Sequence, residues 1–159
     1  MEKEEIEEVL RLHALWLEDK TQGKRADLRC ANLRGVVLRG VDLRFADLRF
    51  ADLRRADLRD SNLQWTDLRD ADLRDADLRE ANLREADLRD ADLISADLKA
   101  VDLRFADLQW AYLQGANLQW SNMKWVDLRF ADLRGADLRG AILLKSDLKI
   151  VQERGAITE

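Results

Sequence analysis

The sequence predicts an all-β solenoid, a chain wound into a coil of short extended sides and tight corners. Three observations point there. Leucine recurs every fifth residue from Leu28 to Leu148, with Met123 the one exception, through 25 pentapeptides without an insertion. The residue two before each leucine is small or β-branched: mostly Ala, with Val, Ser or Thr at positions such as Val36, Ser61 and Thr66. The residue just before it is Asp or Asn except at Val37, Tyr112 and Ile142, and the residue after it is usually Arg.

A period of five fits no ordinary element. On an α-helix each step of five turns the leucine by about 140° and spreads it over the whole surface. On a continuous strand, alternate leucines would face opposite sides. The small residue and the leucine are two apart, so a short extended piece puts both on one side. A turn before the next pair then wraps the chain with both kinds of residue inside, and Asp, Arg and the fifth residue face water. Each buried leucine contributes about 1.5–3 kcal/mol against chain entropy. The ladder sampled by Leu48, Leu68, Leu88, Leu108 and Leu128 therefore dominates stability.

Pentapeptides such as ADLRF (46–50), SNLQW (61–65) and ANLRE (81–85) resemble those of the pentapeptide-repeat family, over residues 26–150. The resemblance implies a right-handed quadrilateral β-helix with four pentapeptides per coil, so residues twenty apart stack. About six coils at ~4.8 Å each give a rod roughly 30 Å long.

Both ends of such a rod need covering. Residues 1–25 read as a capping helix and linker: Ile6, Val9, Leu10, His13, Trp16 and Leu17 fall on one helical face, and Gly23 follows as a breaker. A cap over the first coil is one reading and a helix that docks on a partner is the other. His13 reads as a packed cap residue, because no metal-ligand or catalytic motif accompanies it. Residues 151–159 read as a carboxy-terminal tail that folds over Ile142 and Leu144, which stand where Asp and Arg are usual. The alternative is a dimer contact at this end. Some family members dimerise through a longer carboxy-terminal helix, for which this chain leaves few residues.

Specificity has to lie on outward positions, since the core is nearly uniform. Sorted by corners of the coil, the fifth residues place Phe45, Trp65, Phe105 and Trp125 in one column. Phe50, Trp110 and Phe130 fall in the next, with Trp120 in the column on the other side. Phe45/Trp65, Phe105/Trp125 and Trp110/Phe130 should stack one coil apart. Between the aromatic groups lies an acidic belt of Asp70, Asp75, Glu80, Glu85 and Asp90. VDLRFADLRF (41–50) returns sixty residues later as VDLRFADLQW (101–110), which fits internal duplication or deliberate construction. The aromatics read either as ladder packing or as a binding face.

With 27 Lys plus Arg against 32 Asp plus Glu, the net charge of −5 does not suggest direct nucleic-acid binding. No apolar run approaches the ~20 residues that span a bilayer. The acidic amino terminus lacks the pattern of a signal peptide, so a cytoplasmic location is expected. Cys30 alone excludes an internal disulfide. Nothing here combines a nucleophile with a base, a phosphate loop or a metal-ligand cluster. A non-enzymatic protein with no cofactor and no metal site is expected. The favoured function is a rigid scaffold that binds a protein partner of unknown identity through the aromatic face, as a monomer or homodimer. The resemblance also implies an alternative, a DNA mimic acting on bacterial gyrase. Residues 26–150 carry 23 acidic and 21 basic residues, a net of −2, which argues against it. A structural or designed scaffold with no dedicated partner is the third reading.

Overall fold

The computed structural model describes Met1–Glu159 and is a right-handed, four-sided β-helix with a helix at each end. Residues 26–144 wind through six coils of twenty residues. Parallel bridges join each outward residue to the one twenty on, from Asp27↔Asp47 to Asn122↔Ile142. Each side bonds its neighbours in a fixed pattern. Leu48 N–H donates to the Asp67 carbonyl (2.8 Å), Asp67 N–H to Ala46 (3.0 Å) and Phe50 N–H to Arg69 (3.1 Å). The N–H after each leucine goes instead to the Asp or Asn side chain two residues back, as Arg69 to Asp67 (3.3 Å), so the backbone donors of the inner coils are paired and the coil closes around an apolar interior.

The corners explain why five residues suffice per side. The N–H after each corner donates to the leucine carbonyl three residues back, as from Ala51 to Leu48 (3.1 Å). The corner residue itself takes positive φ, the requirement of a type II turn. Eighteen non-glycine corners do this, Phe45 at +65° and Ala100 at +58° among them. The left-handed corner bends the chain and throws the fifth side chain outward. Leucines and alanines fill the interior as one continuous core. Leu48, Leu68, Leu88 and Leu108 are fully buried and Leu128, near the lower end, nearly so.

The outward Asp and Arg of each side form charge zippers. Arg59 binds Asp57 of its own pentapeptide (2.6 Å) and reaches Asp77 of the next coil (3.5 Å). The Asp57 oxygen also accepts the Arg59 backbone N–H. Hydrogen bonding from Arg59 holds the Asp57 carboxyl down at about 2, and Arg29 does the same for Asp27. Each pair is partly exposed and adds little alone, but the ladder neutralises the sides of the rod.

At the amino end, α1 (Lys3–Glu18) lies across the first coil. Ile6, Val9 and Leu10 pack against the core, and Trp16 and Leu17 are half-buried. His13 is fully buried. Its Nδ1 accepts the Ala26 N–H (3.0 Å), which closes the first donor of the coil and leaves the imidazole proton on Nε2. Nε2 lies near the Arg44 carbonyl without reaching hydrogen-bond geometry.

The carboxy end departs from the repeat boundary at residue 150. The β-helix ends at Leu144, and α2 (Lys145–Glu153) takes over the last pentapeptide together with the start of the tail. Continuing the coil would aim Glu153 inward where a leucine belongs, burying an unpaired charge. In the helix Glu153 is exposed beside Lys149 (3.6 Å), and Val151 drops into the core instead. The cap is thus mostly α2 rather than the tail alone, and Ile142 stays exposed beneath no cover. The tail then rejoins the ladder in register: Ile157 bridges Asp137, and Leu138 N–H donates to Ile157 (2.7 Å). Arg154 reaches back to the Leu128 carbonyl, capping an acceptor of the last coil.

Candidate partner-binding surface

The left-handed corners place the fifth residues in four columns on the rod's edges. Along two adjacent columns the aromatics stack coil on coil. Phe45 lies on Trp65 (4.9 Å between centroids, 7°), Phe105 on Trp125 (4.9 Å, 5°) and Trp110 on Phe130 (4.2 Å, 13°). These spacings match the ~4.8 Å between coils, so the stacks run along the rod and present ring edges outward.

The eight aromatics are not equivalent. Phe45 is half-buried: Trp16 of α1 meets it edge-on (6.3 Å, 78°), and Lys20 sits over Trp16 (3.4 Å). It belongs to the amino-terminal cap rather than to a free face. Phe50 is exposed above Asp70 and has no ring partner in its own column. Trp65 donates its indole N–H to Glu85 (2.9 Å). Phe105, Trp110, Trp120, Trp125 and Phe130 are all exposed and cluster in the lower coils. Trp120, 65% exposed, lies over Gly140, where an added Cβ would come within 2.5 Å of the ring. A glycine at that corner is what lets the indole lie flat.

A further feature lies between these aromatics. In residues 105–126 only Asp107 and Lys124 are charged, within a chain that is 37% charged. Gln109, Gln114 and Gln119 stand where Arg is usual, and Tyr112, Asn117 and Asn122 where Asp is usual. The glutamines keep the zipper geometry without its charge: Gln114 and Gln119 donate to Asp132 and Asp137 (2.7 Å each). One whole coil is therefore a neutral, amide-rich and aromatic belt. Tyr112, 48% exposed, adds an apolar surface on a side rather than at a corner. Sorting the fifth residues by column misses this belt, because its mark is the simultaneous loss of Arg after leucine and Asp before it.

Above the belt lie the corner carboxylates from Asp60 to Asp90. Asp60 pairs with Arg39 (2.9 Å) and Asp75 approaches Arg55 (3.8 Å). Glu85 takes up the Trp65 indole. The rod thus carries an acidic band over an aromatic one, on sides whose own charges are zipped together.

A family profile described as pentapeptide repeats matches overlapping segments that run from residue 24 to residue 149. No curated protein sequence is significantly similar to the chain. Among solved structures, the chain is similar to a pentapeptide repeat protein of the Arabidopsis thaliana thylakoid lumen. Identity is 27% and the TM-score 0.54, over 75% of this chain and 81% of that one. It is also similar to a pentapeptide repeat protein of the cyanobacterium Cyanothece 51142, at 25% identity and a TM-score of 0.49, over 94% and 99% of the two chains. A third is HetL of Nostoc sp. strain PCC 7120, a pentapeptide repeat protein involved in regulating heterocyst differentiation. It shows 32% identity and a TM-score of 0.35, over 79% of this chain and 77% of that one. The repeat, its twenty-residue register and the profile match over most of the chain lead to one conclusion: this chain belongs to the pentapeptide-repeat family.

Proposed function

We propose that this protein is a non-enzymatic scaffold that binds a protein partner through the aromatic belt of its lower coils. One observation carries the reading: charge falls to one Asp and one Lys where exposed Trp, Tyr and Phe gather, in residues 105–126. Depletion of charge with enrichment of aromatics is the compositional mark of an interface core. If the rings served only to stack coils, the sides between them would have no reason to lose Arg and Asp. The surface is preformed on closed coils, so binding orders little chain.

A DNA-mimic role has only the corner carboxylates in its favour. Binding by charge mimicry needs rows of unneutralised negative charge. On the sides, Asp52, Asp57, Asp67 and their equivalents are each held by an arginine at 2.5–2.7 Å.

The test is retention of proteins from bacterial lysate by the immobilised protein and by a variant with Phe105, Trp110, Trp125 and Phe130 changed to Ser. Circular dichroism on the variant checks that it folds. The proposal expects a protein retained by the parent and lost by the variant. Equal retention by both would remove the belt as the binding surface, and gyrase held equally by both would favour the mimic.

A further inference from the structure

The face between the two aromatic columns carries four rows of corner pairs: Trp65 with Asp70, Glu85 with Asp90, Phe105 with Trp110, and Trp125 with Phe130. The upper two rows hold three carboxylates and the lower two are wholly aromatic. Each ring of the lower rows has one face covered by its stacking partner and stays exposed, so electropositive ring edges border the face. This chain already shows what such an edge takes, since Trp65 gives its N–H to Glu85 twenty residues on. Twenty residues on from Trp110 and Trp125 are Phe130 and Lys145, so no carboxylate occupies the equivalent place for either indole.

We infer that the occupant of this face is a second copy of the same chain, packed side by side and antiparallel. The inference rests on the interaction reading above and names its partner. A two-fold axis in the interface, perpendicular to the rod and midway between the second and third rows, superposes each column on itself in reverse. Glu85 then meets Phe105, Asp90 meets Trp110, Asp70 meets Phe130, and Trp65 meets Trp125. Three carboxylates face aromatic edges or an indole donor, the fourth contact is aromatic on aromatic, and every contact occurs twice. The parallel alternative exchanges the two columns and puts Glu85 on Asp90 twice, a like-charge arrangement. The sides between the columns do not oppose the contact, because Arg69 and Arg89 are zipped to Asp67 and Asp87 (2.7 and 2.5 Å). The contact is isologous and closes at two copies, so it gives a dimer and not a fibre.

Sedimentation velocity over a concentration series tests this on the full chain. The parent should dimerise. Trp110→Ser with Phe130→Ser, and separately Asp70→Lys with Asp90→Lys, should each weaken the dimer by about tenfold or more. Thermal unfolding of both variants, monitored alongside, checks that they are folded. Orientation is read in a Cys30→Ser background by oxidative cross-linking. Asp90→Cys mixed with Trp110→Cys should form a disulfide-linked pair, and Asp90→Cys alone should not. A parent that stays monomeric at tens of micromolar overturns the inference, as does a dimer that survives both double variants. Cross-linking of Asp90→Cys with Glu85→Cys instead of with Trp110→Cys would overturn the antiparallel arrangement. A monomeric parent that still retains a lysate protein through its aromatics would sink this inference and leave the interaction reading standing. A dimer with no retained protein would support the inference and restrict the interaction to self-association.

Discussion

A corner residue of this coil occupies a backbone conformation that an L side chain adopts at a cost of about 1–2 kcal/mol. Eighteen non-glycine residues accept it because the closed turn and the hydrogen bonds above and below leave no alternative. Where the side chain contributes nothing in return, removing it should help. Ala100, exposed at +58°, is such a place: Ala100→Gly should stabilise the protein by about 0.5–1 kcal/mol, after the added entropy of the unfolded glycine, as read by urea unfolding. Gly140 is the opposite case. Gly140→Ala adds both the left-handed strain and a Cβ within 2.5 Å of Trp120, and should cost about 2 kcal/mol or more. Combining it with Trp120→Ala should cost less than the sum, since the clash vanishes with the indole, and a double-mutant cycle measures that difference. The leucine spacing made the interior legible in the sequence itself. The need for glycine under Trp120 was not legible, because it depends on a ring lying flat on a residue twenty positions away.

Among the elements, α1 depends on a neutral histidine. Burial lowers the His13 pKa, and the charges of Lys20 and Arg25 lower it further; Asp42 and the Arg44 carbonyl act in the other direction. Its Nδ1 must also stay unprotonated to accept the Ala26 N–H. A native pKa below the unfolded ~6.5 means that this contribution is complete above that pH and is lost as pH falls through and below it. Undocking of α1 should therefore increase between pH 7.5 and 5, seen as a falling protection of the Ala26 amide from hydrogen exchange once the intrinsic pH dependence of exchange is divided out. His13→Leu should flatten that dependence; an unchanged pH response in the variant would exclude His13 as its source. The apolar face of α1 was readable from helical spacing. The extent of α2 was not, since SDLKI (146–150) obeys the repeat rule on its own. Only its successor VQERG, with Glu153 in the inward register, makes the coil untenable there.

For the whole molecule, stability is a sum over coils that touch only their neighbours. Leu88→Ala, in the middle of the rod, should cost about 2–5 kcal/mol, and Leu128→Ala, already slightly exposed near the lower end, less. Comparison of the two urea midpoints checks this. The zippers set the acid limit. Asp27 and Asp57 are held at about 2 against ~3.9 in the unfolded chain, so their contribution is complete above pH 4 and disappears as pH falls toward 2. Unfolding followed by far-ultraviolet circular dichroism should therefore begin below pH 4, with the histidine transition preceding it. The overall shape was legible because one five-residue rule governs 25 pentapeptides. The neutral belt was present in the same letters and lay in what the rule omits, the missing Arg and Asp of residues 105–126.

The twenty-residue register has a consequence for how such a chain can change. Deleting four pentapeptides, such as residues 66–85, removes one turn and leaves every remaining residue on its own edge, so the rod shortens by about 4.8 Å with its azimuths intact. Deleting one pentapeptide between the acidic and aromatic bands instead swings everything below it by a quarter turn, as a dial moves one stop. Length and compass bearing are therefore separate coordinates, each adjustable by its own class of deletion. The tail obeys the same clock: after the ten residues that α2 and Arg154 occupy, Ile157 still meets Asp137 on the correct edge, so a detour is tolerated when it lasts a whole number of stops.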